Sequence, residues 1–363
     1  MPKRSHRPPT RIGRGIPSNA KINGISDFVR ALRLAGVDRV MTEDITTMRT
    51  TKIGGGSQFT VYDDTGVGRY LNFPSAVMKC ANVELGDELV AGGDANRDQK
   101  VLDTLQRELV ALTHPGLRQH ANISRLLLYD LITSSSGKSI PTLVVERATF
   151  GSLYDFLERG EHTITAKDRA DICNDVTAGL SAIHKAGIVH GDVKADNILI
   201  FESPEPDKQF LAKISDFGSI ITVDDAKEME KRGGQVRYNG TKSTNAPETV
   251  NQSGRDAIKA EMLVRCDTYS LGLVYLHVLA GRWERDWEGK DDRVLELAID
   301  VVKSSDLLQE VYPQFCEVVG MLLQYDPIKR CADLTTVLEA LTPNQMSDNN
   351  VAIRYARGRL GNP

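Results

Sequence analysis

Asp192, Lys194 and Asn197 lie close together in the run His190-Gly191-Asp192-Val193-Lys194-Ala195-Asp196-Asn197, and Asp216-Phe217-Gly218 follows downstream. These residue types suit phosphoryl transfer. An aspartate can accept the proton of an attacking hydroxyl, and a lysine can neutralise charge on the transferring phosphate. Asparagine and aspartate supply the hard oxygen ligands that Mg²⁺ prefers. The four polar residues are embedded in the apolar runs Ile188-Val189 and Ile198-Leu199-Ile200-Phe201, an unusual setting for an ordinary solvated loop. Asp192 and Lys194 are the candidate catalytic residues, and Asn197 and Asp216 the candidate metal ligands.

Such a site needs elements to position it. Upstream, Ile53-Gly54-Gly55-Gly56-Ser57-Gln58-Phe59-Thr60-Val61 reads as strand, tight loop, strand. Another strand is expected to end in Ala76-Val77-Met78-Lys79-Cys80, followed by a polar insertion through Gly86, Gly92, Gly93 and Asp94. Leu102, Leu105, Leu109 and Leu112 then fall at helical spacing with Glu108 on the edge of the stripe. Two β-rich runs, 126–132 and 142–147, complete a small sheet. Beyond Gly151 the chain is mostly helical, with helices expected over 165–185, 265–280, 294–303 and 312–325. A strand-rich lobe joined to a helix-rich lobe follows from this order. The stretches 87–99 and 203–208 read as surface insertions.

The ends have a different character. Lys3, Arg4, Arg7, Arg11 and Arg14 stand among prolines and glycines with no acid to balance them, so residues 1–23 are expected to form a mobile basic arm. Residues 24–49 form a helical extension. Ile25, Phe28, Val29, Leu32 and Leu34 predict an amphipathic helix starting near Ser26-Asp27, which would cap it. Packing on the small lobe is expected ahead of contact with a partner. Residues 342–363 are polar and predict a loose tail.

Composition bounds the rest. A chain of 363 residues with 40% hydrophobic content can bury a large core, usually in about two lobes or domains. A net charge of −4 gives no reason to expect nucleic acid as the main partner. The five cysteines stand far apart, which argues against metal and disulfide frameworks. No N-terminal apolar signal region and no membrane-length apolar run occurs, so the cytosol or nucleus is the expected compartment. Oligomeric state is not legible.

These motifs together resemble the eukaryotic-type protein kinase superfamily, over roughly residues 52–341. The resemblance implies an α+β fold with a small β-rich N-lobe (about 50–147) and a larger helical C-lobe (about 148–341). It implies ATP and Mg²⁺ as cofactors, with Ile53, Gly54, Gly55, Gly56 and Val61 in the phosphate-covering loop. Val77 and Lys79 would contact the nucleotide, Glu108 would pair with Lys79, and Glu146 and Ala148 would supply hinge contacts to adenine behind a gatekeeper Val145. Two departures stand out. Phe59 occupies the place of the third glycine, and Gly191 replaces the arginine that ordinarily pairs with a phosphate on the activation segment.

His-Gly-Asp also occurs in small-molecule phosphotransferases that share this core. Ala246-Pro247-Glu248, Asp267-Thr268-Tyr269-Ser270-Leu271-Gly272 and Tyr325-Asp326-Pro327-Ile328-Lys329-Arg330 resemble protein kinases instead, and imply a buried Glu248–Arg330 pair. Lys194 and Gly240-Thr241 resemble the serine/threonine branch, with a protein substrate bearing a Ser or Thr acceptor. Asp196 would favour a basic residue near that acceptor. Thr241, Ser243 and Thr244 are expected to be structural hydroxyls rather than modification sites. The alternatives are a pseudokinase scaffold, supported by Phe59 and Gly191, and a small-molecule phosphotransferase.

Overall fold

Strands form where β-branched and aromatic residues run between glycines. β1 (Thr51–Gly55), β2 (Phe59–Asp63), β3 (Ala76–Ala81), β4 (Leu126–Thr133) and β5 (Ser139–Glu146) make one antiparallel sheet in the order β1-β2-β3-β5-β4. The computed structural model describes residues 14–40, 51–63, 76–86, 95–249, 258–288, 293–304 and 314–341. Of the predicted insertion over 87–99, residues 87–94 lie outside them and 95–99 form the start of a helix instead; the arm before residue 14, residues 41–49 of the predicted extension and the tail from 342 also lie outside.

β3 is central and buried on both faces. Lys79 is its only residue not fully buried, in register with Val61 on one side and Leu143 on the other. One face carries a cluster of Ala76, Met78, Cys80, Leu128, Ile132 and Val144. The other faces helix α2 (Ala95–Leu112), whose Val101, Leu102, Leu105 and Leu109 enter a core that continues into the helical lobe.

The N-terminal extension packs on this lobe. Helix α1 (Ile25–Leu34) buries Phe28 and Leu32 completely, and Phe28 meets Tyr129 of β4 edge-on at 5.6 Å between centroids. It starts one residue before the predicted Ser26-Asp27 cap: Gly24 is the N-cap, and the Asp27 carboxylate reaches back to the Asn23 N–H at 3.1 Å. Beyond α1, the Tyr129 N–H donates to the Asp38 carbonyl at 3.1 Å and the Val40 N–H to the Tyr129 carbonyl at 2.9 Å. This covers the edge strand β4.

The predicted arm needs correction from residue 14 onward. Ile16 and Ile22 are buried, the Ile16 N–H donates to Thr113 Oγ1 at 3.2 Å, and Gln106 Nε2 donates to the Ser18 carbonyl at 2.8 Å. Two isoleucines amid glycine and proline suffice to seat this stretch against α2. Average composition hides them.

In the helical lobe, α3 (Leu153–Glu158) and α4 (Ala166–Lys185) follow the hinge. Thr165 and Asp168 cap α4 reciprocally: each backbone N–H donates to the other side chain, at 2.9 and 3.1 Å. α6 (Leu263–Ala280) is buried almost all round and packs on α4. It ends at Gly281, whose φ of 78° terminates the helix. α7 (Arg293–Ser304), α8 (Phe315–Leu322) and α9 (Leu334–Leu341) complete the lobe; α8 ends short of the predicted 325, and residues 312–313 lie outside the described residues. A further helix, α5 (Val223–Lys231), was not expected. Thr222 caps it by accepting the Asp225 N–H at 3.4 Å. All five cysteines are free. Among the described residues no helix is long and apolar enough to cross a membrane.

Candidate active site

Two short sheets place the chemical residues. β6 (Ile188–Val189) pairs with β9 (Ile221–Thr222), and β7 (Ile198–Glu202) pairs antiparallel with β8 (Phe210–Ile214), Ile198 opposite Ile214. The residue before β7 and the residues after β8 are therefore neighbours. That hairpin brings Asn197 beside Ser215 and Asp216, and the Ser215 N–H donates to the Asn197 carbonyl at 2.8 Å.

The loop between β6 and β7 hangs on Asp267, which is fully buried on α6. Its carboxylate accepts the His190 N–H (2.7 Å), the Gly191 N–H (3.0 Å) and the Tyr238 hydroxyl (2.8 Å), and lies 2.9 Å from His184 Nε2. Burial alone would raise this carboxyl. The hydrogen bond and charge of His184, the charge of His190 and the Gly191 N–H outweigh it and hold Asp267 below its ordinary range. His190 in turn packs against Phe217 at 5.4 Å and reaches the Ser215 carbonyl at 3.1 Å through Nε2.

Asp192 and Lys194 share one cluster. Asp192 Oδ1 accepts both the N–H and the hydroxyl of Thr241 at 2.8 Å, and its Oδ2 lies 2.9 Å from Lys194 Nζ. Lys194 Nζ also donates to Thr241 Oγ1 at 2.7 Å. The Thr241 hydroxyl is thus structural in this arrangement. Asn197 Nδ2 donates to the Asp192 carbonyl at 2.8 Å and to Oδ2 at 3.1 Å, which leaves the Asn197 amide oxygen free of these bonds.

Lys79 lies at the inner end of the cleft. Its Nζ is 2.6 Å from both Glu108 oxygens and 3.5 Å from Asp216 Oδ1. Burial alone would lower the Lys79 ammonium, but the two carboxylates outweigh it and hold it above the ordinary lysine value. Burial draws the Glu108 carboxyl upward against the pull of Lys79. Lys79 holds the Asp216 carboxyl below its usual range, against burial and aided by His190 and the Gly218 N–H. Asp216 is the only described non-glycine residue at positive φ, 59°, a conformation uncommon outside glycine.

A cavity of about 970 Å³ runs between the lobes. Ile53, Gly55, Gly56, Val61, Val77, Lys79, Glu108, Glu146, Ala148, Asn197 and Asp216 line it; Gly54, Asp192 and Lys194 do not. The Glu146 carboxylate is taken by Lys213 Nζ at 2.8 Å and by the Arg125 N–H at 2.9 Å. The Glu146 N–H donates to the Arg125 carbonyl at 3.2 Å, so neither its side chain nor its N–H is open to the cavity. Phe59 is buried, with Lys79 Nζ 4.5 Å from its ring centroid. It packs under the glycine-rich loop where a glycine would leave space.

Leu199 and Ser215 also line the cavity, although sequence reasoning passed over both. Strand periodicity was the signal for Leu199: Ile198 and Ile200 are buried in β7, so the residue between them faces the other way. Away from the cavity, Arg330 grips Glu248 with Nη1–Oε1 at 2.7 Å and Nη2–Oε2 at 3.2 Å, and the guanidinium is fully buried.

Residues 66–341 match the family described as Protein kinase domain. The match begins past β1 and β2, so the glycine-rich loop is placed by the strands themselves. Serine/threonine-protein kinase PknL of Mycobacterium tuberculosis is 32% identical over 202 residues, 53% of this chain and 44% of that protein. Probable serine/threonine-protein kinase PBL4 of Arabidopsis thaliana is 34% identical over 168 residues, 46% and 36% of the two chains. Ribosomal protein S6 kinase alpha-2 of Homo sapiens is 27% identical over 310 residues, 81% and 37%. The chain spans less than half the length of these relatives. By the extent of the family match and by its two-lobed architecture, this chain belongs to the protein kinase domain family.

Proposed function

We propose that the chain transfers the γ-phosphate of ATP to serine or threonine hydroxyls of protein substrates. The observation that carries this reading is the Asp192–Lys194–Thr241 cluster, bonded through Asp192 to Asn197, which lines the same cavity as the Lys79–Glu108–Asp216 group. Asp192 accepts the proton of the substrate hydroxyl as its oxygen forms a bond to the γ-phosphorus. The bond from that phosphorus to the β–γ bridging oxygen breaks, and ADP leaves. Lys194 lies beside Asp192, where it offsets charge on the transferring group. Lys79, oriented by Glu108, holds the inner phosphates. Catalysis of this kind rests on positioning and electrostatics.

The donor set fits Mg²⁺. Asp216 is held ionised by Lys79, and the Asn197 amide oxygen is free of the hydrogen bonds that fix its nitrogen. Among the described residues no three His, Cys, Asp or Glu side chains converge on a metal-sized site. Asp216 and Asn197 would therefore hold the cation together with phosphate oxygens, as Mg²⁺ sites at nucleotides usually do. An ion held there would offset the negative charge of the phosphates.

The test is transfer from radiolabelled ATP, with Mg²⁺, to a generic serine/threonine substrate by unphosphorylated wild-type protein, Asp192→Asn and Lys79→Met. Loss of transfer in Asp192→Asn by about 10²–10⁴-fold, with ATP binding intact, supports the assignment. Wild-type activity in that variant overturns the mechanism. ATP binding by wild type without transfer to any acceptor favours a scaffold instead.

A further inference from the structure

Asn82 stands one residue beyond β3, opposite the crest of the glycine-rich loop. The pairing of Thr60 with Cys80 and Phe59 with Ala81 brings Asn82 to Gln58, and the Asn82 N–H donates to the Gln58 carbonyl at 2.8 Å. Its side chain extends the contact. Nδ2 donates to the Gly56 carbonyl at 2.9 Å and the Ser57 carbonyl at 3.2 Å, while Oδ1 accepts the Thr60 hydroxyl at 2.8 Å. Both amide hydrogens and the amide oxygen are thus committed to three residues of one loop. Inside the loop the Gly56 N–H donates to the Phe59 carbonyl at 2.8 Å. Gly55, at φ 148°, has no room for a Cβ beside that same carbonyl.

A trans peptide unit points its C=O and N–H in opposite directions. Tying the Gly56 and Ser57 carbonyls to Asn82 therefore turns the N–H groups of Ser57 and Gln58 away from Asn82. Successive N–H groups presented on one side of a turn make an anion-binding concavity.

We propose that Asn82 is a positioning residue for the nucleotide phosphates, fixing the loop so that the Ser57 and Gln58 N–H groups are available to phosphate oxygens. The inference rests on the ATP reading above. It also accounts for Phe59 in the place of a glycine. The loop is held from outside by Asn82 and from beneath by the Phe59 ring on Lys79, so its shape does not depend on a third glycine.

Adenosine and Mg²⁺-ATP binding to wild type, Asn82→Ala and Asn82→Asp separate the possibilities. The Asp variant keeps the size and the acceptor for Thr60 but loses both donors. Each variant is expected to bind adenosine within about twofold of wild type and Mg²⁺-ATP about tenfold more weakly, one to two hydrogen bonds' worth. KM for ATP rises accordingly, with kcat at saturating ATP nearly unchanged. Unaltered ATP affinity in both variants overturns the proposal. So does an equal loss for adenosine and ATP, which marks general damage to the lobe. Wild type that binds neither ligand removes the ATP reading, and this inference with it.

Discussion

Gly191 and Ser219 stand so close that a Cβ on Gly191 would collide with the Ser219 carbonyl oxygen. Gly191 also has a φ of 80°, where side chains are strained. The catalytic loop is therefore built around a missing side chain, and the Tyr238 hydroxyl meets the same Asp267 carboxylate as the Gly191 N–H. Restoring the arginine usual in the family is expected to damage the site rather than improve it. Gly191→Ala should lose about 1–2 kcal/mol from backbone strain alone, with the collision added. Gly191→Arg should lose at least as much and gain no activity. Urea unfolding with initial-rate assays decides this; a stable, more active Gly191→Arg would contradict it.

Arg330 is buried, and its guanidinium also donates to the carbonyls of Gln324, Arg265 and Tyr325 while gripping Glu248. Removing one partner strands the other charge. Arg330→Met should destabilise the protein by about 3–5 kcal/mol, whereas replacing both partners with apolar residues of similar volume should recover much of that loss. A double-mutant cycle in urea measures it. A near-neutral Arg330→Met would show that the pair adds nothing.

Asp267 ties acid stability to the catalytic loop. Its folded-state pKa is depressed, so its stabilising contribution is complete above the unfolded value of about 3.9 and is lost as pH falls through the lower folded value. Asp267→Asn should cost about 1–3 kcal/mol or more at neutral pH, since an amide faces donors that a carboxylate satisfied. The gap between wild type and variant should narrow as pH drops below about 4. A gap constant from pH 7 to pH 3 would exclude Asp267 as the linked group.

Phe28 tests whether the N-terminal extension belongs to the folded unit. It is fully buried against Tyr129. Phe28→Ala should cost about 3–5 kcal/mol. Thermal melting would show one cooperative transition at lower temperature. An unchanged midpoint would mean that α1 is an appendage.

Legibility in the sequence followed how local the physics was. Asp192, Lys194 and Asn197 lie within one short loop, and Asp216 is brought to them by a hairpin whose apolar runs are plain to read. Glu108 stood beside a leucine stripe and meets Lys79 as the resemblance implied. What escaped depended on three-dimensional accounting. Asn82 is an ordinary polar residue after a strand until its carboxamide partners are seen. Lys213 is a charge in a β-rich run until Glu146 is found 2.8 Å away. The packing of Ile16 and Ile22 required knowing that α2 leaves an apolar seat. Helix α5 was the avoidable omission, since Thr222 followed three residues later by Asp225 is a helix-start pattern.

Gln106, held to the Ser18 carbonyl, lies two residues from Glu108 on the same helix. The family match, by contrast, starts at residue 66. A boundary drawn by likeness and a boundary drawn by mechanics thus disagree here. A chain begun at the former would lack β1, β2 and the Ser18 brace on Gln106 while keeping every residue of the family match. Inactivity in such a fragment would say nothing about Asp192. It would report only that the lever carrying Glu108 had lost its fulcrum.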